Sequence, residues 1–141
     1  MAHSPKIKIC FVCTGNATRS QMAEGFAKKL GGDRVEIYSA GSHPLGYFLP
    51  QTVLVMKEVG IDISNQRSKH LREVPIEEMD YLITLCDNAA NYCPTVLAKG
   101  SQKLHWPFED PGNFIGSDED KLAAFRRVRD AIEKKIREWL A

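Results

Sequence analysis

The chain has 141 residues, 43% of them hydrophobic and 26% charged, with a formal net charge of +1. This length suits a single domain, 1–141, built on one core. The near-neutral balance excludes a bulk electrostatic pull toward nucleic acid or membrane. No apolar run approaches the ~20 residues of a membrane span, and the opening MAHSPK lacks the apolar core of a signal peptide. A cytoplasmic protein is implied, in which four cysteines serve chemistry, a metal or packing rather than structural disulfides.

Residues 6–12 are short and rich in β-formers and predict a first strand, punctuated by Gly15 and Asn16. Residues 20–30 predict a helix, because Met22, Ala23, Phe26, Ala27 and Leu30 recur at i, i+3, i+4 spacing; Gly31-Gly32 stops it. A second strand is predicted over 35–39, followed by the loop AGSHPLG. Residues 50–59 predict a helix with Val53, Leu54, Met56 and Val59 apolar and Gly60 as its cap. The stretch 61–71 is mostly extended or loop, and 75–79 predicts a short helix opened by Pro75. A third strand is predicted over 80–85, a short helix over 87–93 before Pro94, and a brief fourth strand over 103–105. WPFEDPGNFIGS is a long loop bearing proline and glycine. Residues 118–140 form the clearest helix, with Leu122, Phe125, Val128, Ile132, Ile136 and Leu140 in one stripe. Its basic run, Arg126-Arg127-Val128-Arg129, has acids nearby and reads as a solvated face. The alternation predicts an α/β protein with a four-stranded parallel sheet and helices on both faces.

The stretch CTGNATRS, Cys13 to Ser20, joins the first strand to the first helix. Ligands of open α/β sheets bind beyond the C-terminal strand ends, which is where Cys13 falls. The backbone N–H groups of Thr14, Gly15, Asn16, Ala17 and Thr18 can form an anion nest at the helix N-terminus. Arg19 adds a planar fork of donors suited to a tetrahedral oxyanion, and Ser20 can cap the helix or donate to the sulfur. A helix N-terminus beside an arginine also favours the thiolate of a cysteine. Cys13 is therefore the candidate nucleophile toward the atom at the centre of a bound oxyanion.

Cys86 and Cys93 lie seven residues apart, and Cys86 follows the third strand at the same sheet edge as Cys13. On a helix their sulfurs would stand roughly 10 Å apart, so a disulfide between them requires the segment to unwind. A mobile thiol pair, two small buried hydrophobes, or a zinc site with Cys10 and Cys13 all remain open from spacing alone. Cys10 is assigned to the core of the first strand. Asp110, on a proline-fixed loop, can face the anion site as a general acid or base. His105 reads as a structural strand-end histidine.

FVCTGNATRSQMAEGF, VGIDISNQRS, LITLCDNAANYCP and HWPFEDP together resemble the thioredoxin-coupled arsenate reductases, which share the low-molecular-weight protein tyrosine phosphatase fold. The resemblance covers nearly the whole chain. It implies that Cys13 attacks arsenate, with phosphate a competing anion. Arg19 and the N–H groups from Thr14 to Arg19 bind the oxyanion, Ser20 or Thr14 holds the thiolate, and Asp110 protonates the departing hydroxide. Cys86 then attacks Cys13 and releases arsenite, and Cys93 attacks Cys86 to leave a Cys86–Cys93 disulfide. Thioredoxin reduces that bond by thiol exchange. No metal or organic cofactor is implied, and a monomer is expected.

The chain departs from the family at some positions. Thr18 stands where members often carry a cysteine in the loop. Asn16, Glu24 and Ser39 match positions that help to hold a potassium ion in some members, but an aspartate of that site aligns with Lys69, whose ammonium is expected to take the ion's place. Two other readings compete with the reductase: a phosphatase of the same fold, and a non-catalytic redox-sensing partner. Gly112-Asn113-Phe114 after the Asp-Pro is a weak match to the aromatic residues that guide phosphotyrosine in the phosphatases.

Overall fold

A computed structural model describes residues 6–85 and 101–140. The predicted helix at 87–93, with Cys86 and Cys93, lies outside the described residues. The described chain forms β1 (Ile7–Cys13), α1 (Arg19–Gly31), β2 (Val35–Gly41), α2 (Pro50–Glu58), β3 (Tyr81–Thr84), β4 (Gln102–His105) and α3 (Asp118–Leu140). The sheet runs β2-β1-β3-β4, all parallel, and is flanked by helices.

β1 takes the centre because its residues tolerate burial on both faces. Ile9, Cys10, Phe11 and Val12 are all fully buried, the near-continuous apolar run expected of a parallel strand. Pairing with β2 sets Cys13 opposite Gly41, and pairing with β3 sets Val12 opposite Thr84. β4 is the exposed edge and carries Gln102 and Lys103, polar residues that discourage edge-to-edge pairing. Cys13, Gly41, Thr84 and His105 therefore end their strands along one side of the sheet.

α3 buries Phe125, Val128, Ile132 and Ile136, with Leu122 and Leu140 partly covered, against a core that includes Phe11, Phe26 and Met22. α1 and α2 both pack on it. Trp139 meets Tyr81 edge-on at 5.0 Å and Trp106 at 5.3 Å, which fastens the end of α3 to the sheet. α2 ends at Glu58, one residue short of the predicted 59, with Val59 rather than Gly60 in the cap position; Gly60 follows it, and its φ of 81° and N–H bond to the Lys57 carbonyl reverse the chain.

Some expectations require correction. In α2, Leu54 is exposed, while Val55 and Thr52 join Met56 on the buried face. Arg129 is buried rather than part of a solvated face: it donates to Glu58 at 2.8 Å, to the Val55 carbonyl at 3.0 Å and to Asp130 at 2.8 Å. The predicted helix over 75–79 is a single 3-10 turn, Ile76–Glu78. β3 is shorter than 80–85, with Asp80 just outside it accepting from the Lys8 amide at 2.8 Å. β2 runs two residues further than predicted, to Gly41, and those residues carry part of the site.

Glu58 joins α2 to α3 by accepting from both Arg126 and Arg129. The Arg126 bond, reinforced by Arg129, holds its carboxyl down at about 2 against an ordinary 4.5. A depressed carboxylate contributes stability above its unfolded value and loses it as pH falls through the folded one. The stability gap between wild type and Glu58→Gln should be widest near neutrality and close as pH falls from 4.5 toward 2. Urea unfolding across that window checks it, and a gap independent of pH contradicts the assignment.

Candidate active site

β1 delivers Cys13 to the sheet edge, and the chain turns through residues 14–18 into α1 at Arg19. The turn is tight because Asn16 adopts φ 46°, a left-handed conformation that asparagine tolerates better than most residues. Asn16 is fully buried, and its partners explain why it stays there. Its Nδ2 donates to Ser20 Oγ at 2.7 Å, and its Oδ1 accepts from Gln21 Nε2 at 3.0 Å and from the Lys69 amide at 2.9 Å. Gln21 also donates to the Asn16 and Arg67 carbonyls. Gly41 presses on the loop from β2: a Cβ there would stand 2.5 Å from the Thr14 oxygen and 3.0 Å from the Asn16 nitrogen.

Cys13 Sγ lies 2.8 Å from Ser20 Oγ. Asn16 already donates to that hydroxyl oxygen, which leaves the Ser20 proton free to point at the sulfur. Arg19 Nη1 donates to the Phe108 carbonyl at 3.1 Å, and its Nη2 stands 3.5 Å from Asp110 Oδ2. The other Asp110 oxygen accepts from the Gly112 amide at 2.9 Å, which fixes the carboxyl on its turn. Cys13, Gly15, Ala17, Thr18, Arg19 and Asp110 line one pocket, together with Leu45 and Leu49.

The structure thus brings Cys13, Arg19, Ser20 and Asp110 together across almost a hundred residues of sequence. Ser20 lies inside α1 rather than capping it and takes the donor role toward sulfur. Thr18 occupies the cap position, but its hydroxyl meets Thr52 Oγ1 at 2.9 Å. The Thr14 carbonyl accepts from His43 and the Gly15 carbonyl from Leu45. The sequence reading missed Gln21, Gly41, Leu45, Leu49 and Thr52, which lack a spacing motif. His105 bonds Thr84 Oγ1 through Nδ1 at 2.6 Å, a packing role at the strand ends. Cys10 and Cys13 are an odd number of positions apart on one strand, so they face opposite sides of the sheet. That geometry removes them as joint ligands of one zinc ion.

Behind the loop, Lys69 Nζ stands 3.9 Å from Glu24 Oε1, 3.5 Å from Ser39 Oγ and 3.1 Å from the Arg67 carbonyl it donates to. Ser39 also donates to Glu24, and Lys28 pairs with the other Glu24 oxygen at 2.5 Å. Burial pushes the Lys69 ammonium below the usual lysine range, with Glu24 pulling the other way. Glu24 and Ser39 thus meet a tethered cation.

Fold and site define a class: a parallel α/β protein with a cysteine, an arginine and an aspartate around an oxyanion-sized pocket. The profile of the low molecular weight phosphotyrosine protein phosphatases matches residues 8–141, and the chain belongs to that family. Among its relatives, it is 47% identical to an arsenate reductase of Halalkalibacterium halodurans, over 92% of this chain and 91% of that one. It is 46% identical to an arsenate reductase of Bacillus subtilis, over 93% of each. A solved arsenate reductase in a phosphate-binding state superposes with a TM-score of 0.80 at 34% identity, covering 95% of this chain and 96% of that one. Another in an oxidized state gives 0.80 at 32% identity, with 94% and 95% covered. A thioredoxin-dependent arsenate reductase of Corynebacterium glutamicum gives 0.76 at 30% identity, covering 98% of this chain and 62% of that longer one.

Asn16→Ala strands the Lys69 amide and releases Ser20, while Gln21 keeps the Asn16 and Arg67 carbonyls; a loss of about 1–3 kcal/mol in stability is expected, as for an unsatisfied buried group. Inorganic phosphate affinity should fall with it. Chemical denaturation and calorimetric titration read the two effects, and an unchanged phosphate affinity contradicts the role given to Asn16. Lys69 generates a second expectation: phosphate affinity is the same in potassium and sodium chloride for wild type. Tighter binding in potassium by several-fold would show that the lysine does not stand in for the ion.

Proposed function

We propose that the protein reduces arsenate to arsenite with its own thiols and is recharged by thioredoxin. The observation that carries the reading is Cys13, held by Ser20 in a pocket that also presents Arg19 and Asp110. Family membership and arsenate reductase relatives along almost the whole chain support it.

Arsenate is a tetrahedral dianion. Arg19 and the N-terminus of α1 offer it opposite charge, and Ser20 steadies the Cys13 thiolate that attacks arsenic. Asp110 delivers a proton to the departing oxygen, so water leaves and a sulfur–arsenic bond forms. Cys86 thiolate next attacks the Cys13 sulfur. The electron pair of the sulfur–arsenic bond goes to arsenic, arsenite departs, and a Cys13–Cys86 disulfide remains. Cys93 attacks Cys86, which frees the Cys13 thiolate and moves the disulfide to Cys86–Cys93. A thioredoxin dithiol reduces that bond and closes a two-electron cycle.

Cys86 and Cys93 are outside the described residues, but the chain leading to them is informative. The amide of Leu85, next to Cys86, donates to the carbonyl of Val12, next to Cys13, at 2.8 Å. That bond supports an approach of Cys86 to Cys13. Solved relatives described as oxidized and as thioredoxin-dependent support the relay and its donor. Among the described residues no helix is long and apolar enough to cross a membrane, and we place the enzyme in the cytoplasm, where thioredoxin keeps thiols reduced.

The test is arsenate-dependent NADPH consumption with thioredoxin and thioredoxin reductase. Wild type should turn over repeatedly, Cys13→Ser should produce no arsenite, and Cys93→Ser should stall after a single turnover. If neither wild type nor Cys93→Ser consumes NADPH and both hydrolyse a phosphate ester equally, the protein is a phosphatase.

A further inference from the structure

We propose that Leu45 and Leu49 form an apolar collar that admits small inorganic oxyanions to Cys13 and keeps the organic group of a phosphate ester out. The inference rests on the reading of this pocket as an arsenate site.

Both leucines line the same pocket as Cys13, Arg19 and Asp110. They sit at the two ends of one segment, and each end is tied to the oxyanion loop. The Leu45 amide donates to the Gly15 carbonyl at 3.0 Å. The next amide, Gly46, donates at 3.1 Å to Ser68 Oγ, which itself donates to the Gly15 carbonyl at 3.1 Å. At the other end Leu49 precedes α2, whose Thr52 hydroxyl meets Thr18 of the loop.

The side chains then reach toward opposite walls. Leu45 Cγ is 3.2 Å from where a Cβ on Gly15 would stand, so it lies along the oxyanion loop. Leu49 Cδ1 is 3.1 Å from the matching point on Gly112, two residues past Asp110. Together they run from the nucleophile's loop to the acid's loop. Leu45 remains 47% exposed and is absent from the core cluster. Packing of the fold therefore does not account for a leucine pinned at this point, whereas a wall of the pocket does.

The pocket they bound is small, about 50 Å³. A tetrahedral oxyanion has no substituent to pass the leucines, but an aryl ester must lead its ring out between them. A second depression of about 220 Å³ begins at Gly46, next to Leu45, and is lined by Tyr47, Phe48, Gln66, Arg67 and Ser68. Leu45 and Gly46 are adjacent in the chain, so trimming Leu45 makes room for a ring on the side where that depression begins.

The experiment compares wild type, Leu45→Ala, Leu49→Ala and Leu45→Trp. For each, kcat/KM for p-nitrophenyl phosphate is multiplied by the inhibition constant of inorganic phosphate. This product measures preference for ester over bare oxyanion. Each alanine variant should raise it by about tenfold, the scale set by a side chain's worth of room in a pocket, and Leu45→Trp should lower it. Melting temperatures verify that the variants fold, and Leu45, outside the core, keeps the test open if Leu49→Ala does not. A product that stays flat or falls in Leu45→Ala overturns the collar and makes Leu45 a favourable wall for the ring. Arsenate reduction by wild type, measured in parallel with thioredoxin, tests the underlying reading separately. A protein that discriminates by the collar yet reduces no arsenate keeps the one and loses the other.

Discussion

The bond from Asn16 to Ser20 is the constraint on which the site depends. It buries an amide in a left-handed turn and, in one contact, orients the hydroxyl that faces the Cys13 sulfur. A polar side chain in that position is costly unless every partner is supplied. Gln21 and the Lys69 amide supply them, and Gln66 holds Gln21 in turn through a 2.7 Å bond. The conformation of the loop is thereby set by residues from α1 and from the stretch before the 3-10 turn at Leu71–Glu73. A tight oxyanion loop needs such support, because its own backbone donors must point at substrate rather than at each other.

The sheet makes that arrangement affordable. Parallel strands end together, so β1, β2 and β3 place Cys13, Gly41 and Thr84 on one edge without any long-range design beyond register. Gly41 lets β2 approach the loop closely enough that a methyl group would collide with three backbone atoms. Lys69 adds a cation behind the loop where, among the described residues, Lys28 would otherwise be the one cation paired with the buried Glu24.

Much of this was legible in the sequence, and the gaps have physical causes. The Cys13–Arg19 spacing between a strand and a helix identifies the loop, and Asp110 follows from a proline-fixed acid whose worth depends on Cys13. α3 is legible because 23 residues repeat one stripe many times over. α2 spans only 9 residues, too few for periodicity to fix its phase, and its buried face turned out to be Thr52, Val55 and Met56 rather than one including Leu54. Arg129 looked solvated because its partner, Glu58, lies 71 residues away. Leu45 and Leu49 were invisible for the same reason: nothing local distinguishes a loop leucine at a pocket mouth from any other. Supporting residues are chosen by three-dimensional neighbours, whereas nucleophile and anion-binding arginine must share one short loop.

Charge counting connects the site to its reaction. Arg19 faces Asp110 at 3.5 Å. A dianion entering the pocket competes for the same guanidinium and brings like charge to the carboxylate. Three negative groups, thiolate, carboxylate and dianion, cannot share one arginine and a helix N-terminus without cost. Under the proposed function Asp110 answers that conflict by giving a proton to the oxygen that leaves. In that reading one guanidinium is shared between the carboxyl that serves as acid and the oxyanion that Cys13 attacks, so Arg19 links the two ends of the reaction.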